Sequence, residues 1–274
     1  MAHTREIAAV VANEADGDAR LLRLSAPRIA AAARPFQFVL VKVPGGDFIL
    51  RRPLSVFDAR GDELALLVRP VGDGTARICC LVPGENLDLT GPFGQRFDVP
   101  ADALFVAGGI GVAGVFFALA EGARSGRKVA LLYGARVAAQ LYARARLAEL
   151  GVEAIFVTED GSSGHKGLAT EYLPGVPSVK DKLISAVLEE ELPAYPKTVI
   201  ACGPRPMYVV LHKILSEDAR LYVLMEERMA CGVGACRSCA VAAREPEGSY
   251  IAACEEGPLV DASLVDWNRL EGKV

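Results

Sequence analysis

The segment Ala103-Leu-Phe-Val-Ala-Gly-Gly-Ile-Gly-Val-Ala113 decides the fold of the middle of the chain. Its apolar start, Ala103–Ala107, predicts a buried strand, and Val112–Gly122 predicts the helix that follows it. The Gly108-Gly109-Ile110-Gly111 turn between them would let a pyrophosphate approach backbone N–H groups at the start of a helix. The turn lacks the GxGxxG pattern, however, and a tight strand-to-helix connection without any ligand explains it equally well.

Strands and helices continue to alternate after this segment. Apolar runs predict four more strands: Lys128–Tyr133, Ala154–Thr158, Thr198–Cys202 and Leu221–Leu224. Helical spacing predicts three more helices: Gln140–Leu150, Lys182–Glu191 and Met207–Leu215. Strands separated by helices of about a dozen residues favour a doubly wound parallel sheet. We therefore predict an α/β nucleotide-binding domain at 101–224.

The first hundred residues have a different pattern. Short β-prone runs alternate with Gly, Pro and Asp turns at the spacing of a small barrel or sandwich. These runs are Ile7–Val11, Leu21–Leu24, Gln37–Val43, Ser55–Phe57 and Leu64–Val68. The Gly72-Asp73-Gly74 stretch has the composition of a turn. We therefore predict a separate β domain at 1–100.

Four of the seven cysteines are clustered near the C-terminus. Cys231, Cys236 and Cys239 have the C-x4-C-x2-C spacing of plant-type [2Fe–2S] sites, and Cys254 completes the four ligands. The glycines between the first two cysteines permit a tight loop whose amide groups turn toward the sulfurs. A structural zinc site usually has two CxxC-like pairs, so zinc is the weaker alternative. Residues 225–274 are therefore predicted to form a small iron–sulfur domain.

Length and composition limit the classes of function. A chain of 274 residues suits two or three domains, and 51% hydrophobic residues with 23% charged residues describe a globular protein with a core. The formal charge of −4 and the absence of a basic run argue against nucleic-acid binding. No apolar run approaches the roughly 20 residues that a membrane span requires. A cytoplasmic enzyme with reduced thiols is the default expectation.

Three shorter motifs are ambiguous when each is taken alone. In Arg52-Pro53-Leu54-Ser55, the Arg could pair with a phosphate and the Ser could bond to a flavin, but surface Arg and Ser are common. Gly74-Thr75 could supply donors to a second phosphate. Cys202-Gly203-Pro204 ends a predicted strand at the carboxyl edge of the sheet, where ligands bind in such folds, yet it could be only a Pro-rich turn.

Together these motifs resemble the ferredoxin-reductase-like flavoprotein superfamily, in which they occur in this order. The ending is more specific: Glu226–Cys236, followed by Cys254-Glu-Glu-Gly257-Pro258, is similar to the electron-transfer subunits of dihydroorotate dehydrogenase type B (the PyrK family). The resemblance spans nearly the whole chain. It implies an N-terminal antiparallel β-barrel that binds FAD, an NAD-binding α/β domain and a [2Fe–2S] domain.

The resemblance also implies which residues bind the cofactors, and it implies no catalytic side chain. The FAD contacts would be Arg52, Pro53, Leu54, Ser55, Leu67, Val68, Arg69, Gly74 and Thr75. The NAD site would include Gly108, Gly109, Gly111, Cys202, Gly203 and Pro204. Leu54 stands where many members have a Tyr stacked on the flavin, so weaker stacking is expected. Gly114 replaces the usual Pro, which predicts a less rigid nicotinamide-side loop.

The implied function is a relay in pyrimidine biosynthesis. An FMN-containing catalytic partner would oxidise dihydroorotate, and electrons would pass through the cluster and FAD to NAD⁺ in a heterotetramer with two copies of each subunit. One alternative is a homologous subunit of a sulfide- or ferredoxin-linked NADPH enzyme, for which Arg136 could contact a 2′-phosphate. A redox-sensing regulator and a zinc-stabilised protein without activity are further alternatives. The stretch Pro174–Pro196 is a local variation without a predicted role.

Overall fold

The computed structural model describes residues 3–101, 103–173, 196–215 and 219–270. The chain divides into two compact units. The first, here the barrel unit, comprises Met1–Phe97, Met225–Val260 and Leu264–Val274. The second, here the sheet unit, comprises Asp98–Leu224 and Asp261–Ser263. The chain thus passes between units close to the predicted boundaries after 100 and 224, while a separate third domain at 225–274 stays a prediction.

The barrel unit contains a seven-stranded antiparallel sheet. Its elements are β1 (Thr4–Asp16), β2 (Ala19–Ser25), α1 (Pro27–Ala32), β3 (Phe38–Val41), β4 (Arg52–Ser55), β5 (Asp58–Arg60), β6 (Glu63–Val68), α2 (Asp73–Cys79) and β7 (Asn86–Phe93). The strand order is β4-β3-β7-β1-β2-β6-β5. Although β4 and β6 lie near opposite ends of this order, they are in contact. The sheet therefore curls on itself, which confirms the predicted N-terminal barrel.

Strand β1 shows why this sequence forms such a sheet. Its side chains alternate between the interior and the surface, with Ala8 and Val10 buried and Ile7 exposed, as a two-residue period requires. Glu6 is also buried, and its carboxylate accepts hydrogen bonds from the amides of Arg28 and Ile29 in the first turn of α1. A buried carboxylate is tolerated there because it satisfies backbone donors that have no partner within the helix.

The sheet unit contains parallel strands with helices between them. Its elements are β8 (Ala103–Gly108), α3 (Val112–Arg124), β9 (Ala130–Ala135), α4 (Arg144–Glu149), β10 (Glu153–Thr158), β11 (His165–Lys166), β12 (Thr198–Cys202), α5 (Arg205–Ile214) and β13 (Arg220–Leu224). These strands lie side by side in the order β11-β10-β9-β8-β12-β13. Every residue of β12 is buried, as expected for a parallel strand covered on both faces. The doubly wound α/β prediction is confirmed.

The chain ends in short elements. These are β14 (Ala240–Ala242), β15 (Tyr250–Ala252), β16 (Leu259–Asp261) and α6 (Trp267–Leu270). Strands β14 and β15 form a two-stranded antiparallel sheet. The loop before β14 and the turn after β15 carry the four clustered cysteines.

Two local predictions are wrong. The predicted helix Gln140–Leu150 is reduced to α4, because Ala143 adopts a left-handed φ of 59° and the Tyr142 N–H donates to the hydroxyl of Tyr133 instead of a helical carbonyl. The predicted turn Gly72-Asp73-Gly74 is the start of α2, a helix too short to show apolar periodicity.

The other boundary differences are small. The predicted strand Ser55–Phe57 shares only Ser55 with β4, which ends there, and the strand predicted at Ile7–Val11 extends over all of β1. The predicted helix Lys182–Glu191 lies outside the described residues, as does nearly all of the 174–196 stretch. In the described part of the chain, no helix is long and apolar enough to cross a membrane.

Candidate cofactor sites

The four clustered cysteines lie in the barrel unit, three in the loop before β14 and Cys254 in the turn after β15. Cys236 is a neighbour of Cys231, and Cys254 is a neighbour of both Cys239 and Cys231. Cys236 is exposed and Cys231 half-buried, whereas Cys239 and Cys254 are buried. The loop therefore presents one thiol pair to its surface and buries the other.

Backbone amides of the same loop point at the sulfurs. The N–H groups of Val233 and Cys236 each donate to Cys231 Sγ over 3.4 Å, and the Gly234 N–H donates to Cys254 Sγ over 3.2 Å. Gly232 and Gly234 make this possible because their φ angles, 74° and 73°, are left-handed values that residues with a Cβ rarely adopt. Amide donors of this kind stabilise thiolates and tune the potential of a bound cluster.

The thiols of Cys236 and Cys254 have opposite pKa shifts. Hydrogen bonds with Ser238 lower the pKa of Cys236 to about 6, which favours its thiolate at neutral pH. Burial raises the pKa of Cys254 to about 12, and the neighbouring Cys239 acts in the same direction. Metal binding deprotonates such a buried thiol, so Cys254 would release a proton when a metal enters.

The chemistry of the donor set fits an iron–sulfur cluster. Among the described residues, the cysteines included, no group of three or more His, Cys, Asp or Glu side chains is gathered closely enough to hold a single metal ion. A [2Fe–2S] cluster needs two thiolates at each of two irons. The pairs Cys231 with Cys236 and Cys239 with Cys254 match this requirement. Four sulfurs, inward amides and a glycine loop therefore fit the iron–sulfur cluster that the spacing predicts.

The cysteine loop is attached to the barrel. A Cβ at Gly232 would lie 2.9 Å from Cδ1 of Leu40 and 3.2 Å from the ring of Phe93, so only a glycine lets the loop approach strands β3 and β7. Just after β7, the Gln95 N–H donates to the Gly257 carbonyl over 2.6 Å. Its side-chain amide donates to the carbonyl of Glu255, also over 2.6 Å. These bonds fix the turn that follows Cys254.

The residues predicted to bind FAD lie together in the barrel unit. Arg52 and Ser55 begin and end β4, Leu67 and Val68 end β6, and these two strands are in contact. Arg52 also reaches α2, because a Cβ at Gly74 would lie 2.8 Å from its Nε.

Two of the predicted FAD residues, Arg69 and Thr75, already use polar groups in contacts within the protein. Arg69, which follows β6, forms a half-exposed ion pair with Asp18 at 3.0 Å. The Thr75 hydroxyl donates to the Gly72 carbonyl over 2.9 Å and accepts the amides of Val71 and Gly72. The Thr75 proton is therefore already used within the first turn of α2. Pro53 and Leu54, like their neighbours in β4, are half-buried.

The residues predicted to bind NAD meet at the carboxyl edge of the sheet unit. Strands β8 and β12 are parallel neighbours, so the turns that follow them lie side by side. A Cβ at Gly108 would lie 2.7 Å from Cδ of Pro204, and one at Gly111 would collide with the carbonyl of Cys202. A Cβ at Gly203 would lie 3.0 Å from the backbone of Gly108. The glycines are thus required for the two turns to pack, which places them where ligands bind in such sheets.

Two buried tyrosines hold these turns, and the sequence reasoning missed both. The Tyr133 hydroxyl lies 2.9 Å from the carbonyl of Gly109 and also accepts the Tyr142 amide. The Tyr208 hydroxyl accepts the Gly203 N–H over 2.9 Å and donates to the Leu224 carbonyl over 2.7 Å. A buried Tyr hydroxyl needs a partner, but the sequence does not indicate which backbone group supplies it.

Gly114 does not lie in a loop, so the predicted loosening of a nicotinamide-side loop is wrong. It is buried in α3, and a Cβ there would lie 2.7 Å from Cys202 Sγ and collide with the side chain of Leu224. The glycine therefore allows α3 to pack closely on β12. Arg136 is exposed directly after β9, at the same edge of the sheet as the glycine turns.

Comparison with known proteins identifies the family. A family model described as the iron-sulfur cluster binding domain of dihydroorotate dehydrogenase B matches residues 226–266. The "Dihydroorotate dehydrogenase B (NAD(+)), electron transfer subunit" of Listeria monocytogenes is 31% identical over 242 residues, covering 86% of this chain and 88% of that protein. The chain belongs to the family of dihydroorotate dehydrogenase B electron-transfer subunits. A member of this family from Geobacillus thermodenitrificans is 34% identical over 255 residues, with 89% and 91% covered.

Solved structures share the fold of this electron-transfer subunit. An NADH-dependent reduced ferredoxin-NADP oxidoreductase structure aligns with a TM-score of 0.79 at 23% identity, covering 98% of this chain and 92% of its own. The ferredoxin reductase of a carbazole 1,9a-dioxygenase aligns with a TM-score of 0.57 at 22% identity, with 80% and 68% covered. The resemblance inferred from the motifs is confirmed, since residues 226–266 match the cluster-binding family model and the relatives are similar over most of the chain.

Proposed function

We propose that this subunit carries electrons from a catalytic partner, which oxidises dihydroorotate to orotate on FMN, through a [2Fe–2S] cluster and FAD to NAD⁺. The observation that carries the proposal is the cysteine loop, in which Cys231 and Cys254 accept hydrogen bonds from loop amides. Support also comes from relatives that are 31–34% identical over most of the chain and that are named as electron-transfer subunits.

The cofactors supply the redox chemistry, since a cluster handles single electrons and a flavin exchanges single electrons for a hydride. The chain's own residues bind and orient them. Cys231, Cys236, Cys239 and Cys254 are the proposed iron ligands. The amides of Val233, Gly234 and Cys236 stabilise negative charge on the sulfurs. The burial of Cys239 and Cys254 excludes water from one side of the site.

FAD is held by the barrel unit, on the face where β4, the end of β6 and the start of α2 come together. Arg52 is the proposed cation for its diphosphate, because a guanidinium presents paired donors to phosphate oxygens. The remaining proposed contacts are Pro53, Leu54, Ser55, Leu67, Val68, Arg69, Gly74 and Thr75. Leu54 offers an aliphatic surface to the flavin in place of an aromatic ring.

NAD⁺ is bound by the sheet unit at the two glycine turns. The proposed contacts are Gly108, Gly109, Gly111, Cys202, Gly203 and Pro204. Because these positions lack bulky side chains, a dinucleotide can approach the backbone at the carboxyl edge of β8 and β12. The hydroxyls of Tyr133 and Tyr208 keep the two turns in place.

The relatives are electron-transfer subunits by name, which implies a catalytic partner subunit. We propose that this partner carries FMN and that two copies of each subunit form a cytoplasmic heterotetramer. The partner would dock near the cysteine loop, because electron transfer requires the cluster to lie close to the FMN.

The test is to co-express the chain with a candidate catalytic subunit and to purify the complex. We expect FAD, FMN and about two irons per electron-transfer subunit, together with dihydroorotate-dependent reduction of NAD⁺. A complex that contains all cofactors but does not couple dihydroorotate to NAD⁺ would contradict the proposal.

The same preparation separates the alternatives. NADPH turnover faster than NADH turnover, without response to dihydroorotate, would indicate a sulfide- or ferredoxin-linked enzyme. A chain that holds a cluster but neither FAD nor NADH oxidase activity would indicate a redox-sensing regulator. Zinc in place of iron would exclude an electron-transfer role.

A further inference from the structure

The loop between β3 and β4 brings two arginines around one aromatic ring. The guanidinium carbon of Arg52 lies 5.6 Å from the ring centroid of Phe48, and that of Arg77 lies 5.4 Å from the same centroid. Arg52 comes from β4 and Arg77 from α2, so the ring links a strand and a helix that are separate in sequence. Phe48 itself is half-buried, so one part of this assembly faces solvent.

Glycines allow the loop to lie this close to α2. Gly45 and Gly46 have left-handed φ angles of 65° and 69°. A Cβ at Gly45 would lie 3.2 Å from Nη1 of Arg77, and one at Gly46 would lie 3.5 Å from its Cζ. The loop backbone therefore fits against the Arg77 side chain, which fixes where the guanidinium lies.

The two cations have no anionic partner in the described part of the chain, since no carboxylate lies within ion-pair distance of either. One N–H of Arg52 donates to the Leu50 carbonyl over 2.8 Å, which leaves its other N–H donors available for a ligand. Like charges held near one ring repel each other, and the cation–π contacts offset only part of that repulsion. A ligand with two adjacent negative charges would offset the remaining repulsion between the two guanidiniums.

The face that these residues form is continuous with the proposed FAD site. Arg52 already lies over Gly74, and Arg77 lies three residues further along α2, so Gly74 and Arg77 share one face of the helix. We propose that Arg77 is a second phosphate-binding residue for the FAD diphosphate, paired with Arg52 across Phe48. This inference rests on the proposed FAD-binding function and adds a residue that the motifs did not indicate.

Arg52, Arg77 and Phe48 each have a separate role in binding the diphosphate. Each guanidinium offers donors to one phosphate of the diphosphate, and Phe48 holds the two guanidiniums apart at a fixed spacing. Charge-assisted bonds of this kind are among the stronger polar interactions in proteins. Loss of one should weaken FAD binding by about 10-fold or more.

The experiment measures FAD dissociation from the purified full-length chain, followed by the fluorescence of released flavin, for wild type and Arg77→Ala. We expect Arg77→Ala to raise the Kd for FAD at least 10-fold, Arg77→Lys to raise it less, and Phe48→Leu to have an intermediate effect. The exposed Arg60, at the end of β5, supplies the control variant Arg60→Ala, which should leave the Kd unchanged. The Kd of wild type should rise more steeply with salt than that of Arg77→Ala, because one ionic contact is missing in the variant.

ADP is the direct probe of the diphosphate, and it should displace FAD from wild type more effectively than from Arg77→Ala. An unchanged Kd for FAD in both Arg77 variants would overturn this inference and leave the proposed function intact. A raised KM for NADH with an unchanged Kd for FAD would also overturn it, because the arginine would then serve the other dinucleotide. A wild-type chain that binds no FAD would overturn both proposals.

Discussion

The side-chain amide of Gln95 donates a hydrogen bond to the backbone carbonyl of Glu255, with an N···O distance of 2.6 Å. Gln95 follows the last barrel strand, and Glu255 follows the cysteine predicted to be the fourth iron ligand. The Gln95 N–H donates to the Gly257 carbonyl over the same distance. One residue thus anchors the turn after Cys254 to the barrel, and the side-chain half of this anchor can be removed by mutation.

Gln95→Ala should make the cluster more labile. The variant keeps the backbone bond to Gly257 but leaves the Glu255 carbonyl without this donor, which costs about 1 kcal/mol of stability locally. We expect the cluster absorbance to decay several-fold faster than in wild type when an iron chelator is added. The exposed neighbour Arg96 supplies the control, and Arg96→Ala should decay at the wild-type rate. Equal decay rates in all three proteins would show that the side-chain bond does not hold the turn.

Cys236→Ser should abolish the cluster and leave the flavin bound. Iron–sulfur sites are built from soft thiolates, and a serine oxygen is a harder and weaker ligand. The expected result is a preparation with a normal FAD content, little iron and no dihydroorotate-dependent NAD⁺ reduction in the complex. Cys80→Ser is the matched control, because Cys80 is also exposed but lies at the end of α2, away from the loop. Full iron content and normal coupled activity in Cys236→Ser would remove Cys236 from the ligand set.

The features of the fold that have strong local signals were predictable from the sequence. The parallel sheet was predictable because strands such as β12 are apolar at nearly every position, and the cysteine loop was predictable because its spacing is specific. The helix α2 was missed because its seven residues are too few to show a helical period. The predicted helix around α4 was too long because a contact distant in sequence, from Tyr142 to Tyr133, competes with the local helical bonds.

The residues that support the sites were the least predictable. Tyr133, Tyr208 and Gln95 act through hydrogen bonds to backbone groups, which carry no sequence signature. Arg77 joins Arg52 only because two left-handed glycines fold the loop after β3 onto α2. Their roles depend on which chain segments become neighbours, and that information appears only in three dimensions.

Tyr133→Phe should weaken NAD⁺ binding and lower stability. The variant removes the partner of the Gly109 carbonyl and of the buried Tyr142 amide, and groups left unsatisfied in this way cost about 1–3 kcal/mol. We expect a lower urea midpoint of unfolding and a raised KM for NAD⁺ with kcat little changed. Tyr250→Phe is the control, since Tyr250 is 48% exposed and its hydroxyl bonds only to an exposed Arg269 in the described structure. If Tyr133→Phe and Tyr250→Phe have the same KM for NAD⁺, the Tyr133 hydroxyl stabilises the fold but does not position the turn at Gly109 for NAD⁺ binding.

Gly111→Ala tests the packing of the two turns at the carboxyl edge of the sheet. Gly111 has a φ of −58°, a backbone conformation that alanine adopts without strain. The added Cβ would collide with the backbone carbonyl of Cys202, however, and a backbone atom cannot move aside as the end of a side chain can. Overpacking of this kind costs about 1–3 kcal/mol, so a net loss of stability and a weaker affinity for NAD⁺ are expected.

The control for this variant is Gly72→Ala. Gly72 has an extended φ of −177°, and a Cβ there would meet open space. Because Gly72 is the N-cap of α2 and alanine caps less well than glycine, its substitution should cost up to about 1 kcal/mol and leave the affinity for NAD⁺ unchanged. Urea unfolding of both variants, combined with titration of NAD⁺ against each, separates the two effects. If Gly111→Ala is as stable as Gly72→Ala and binds NAD⁺ as wild type does, the turns after β8 and β12 are not in the close contact that the glycines imply.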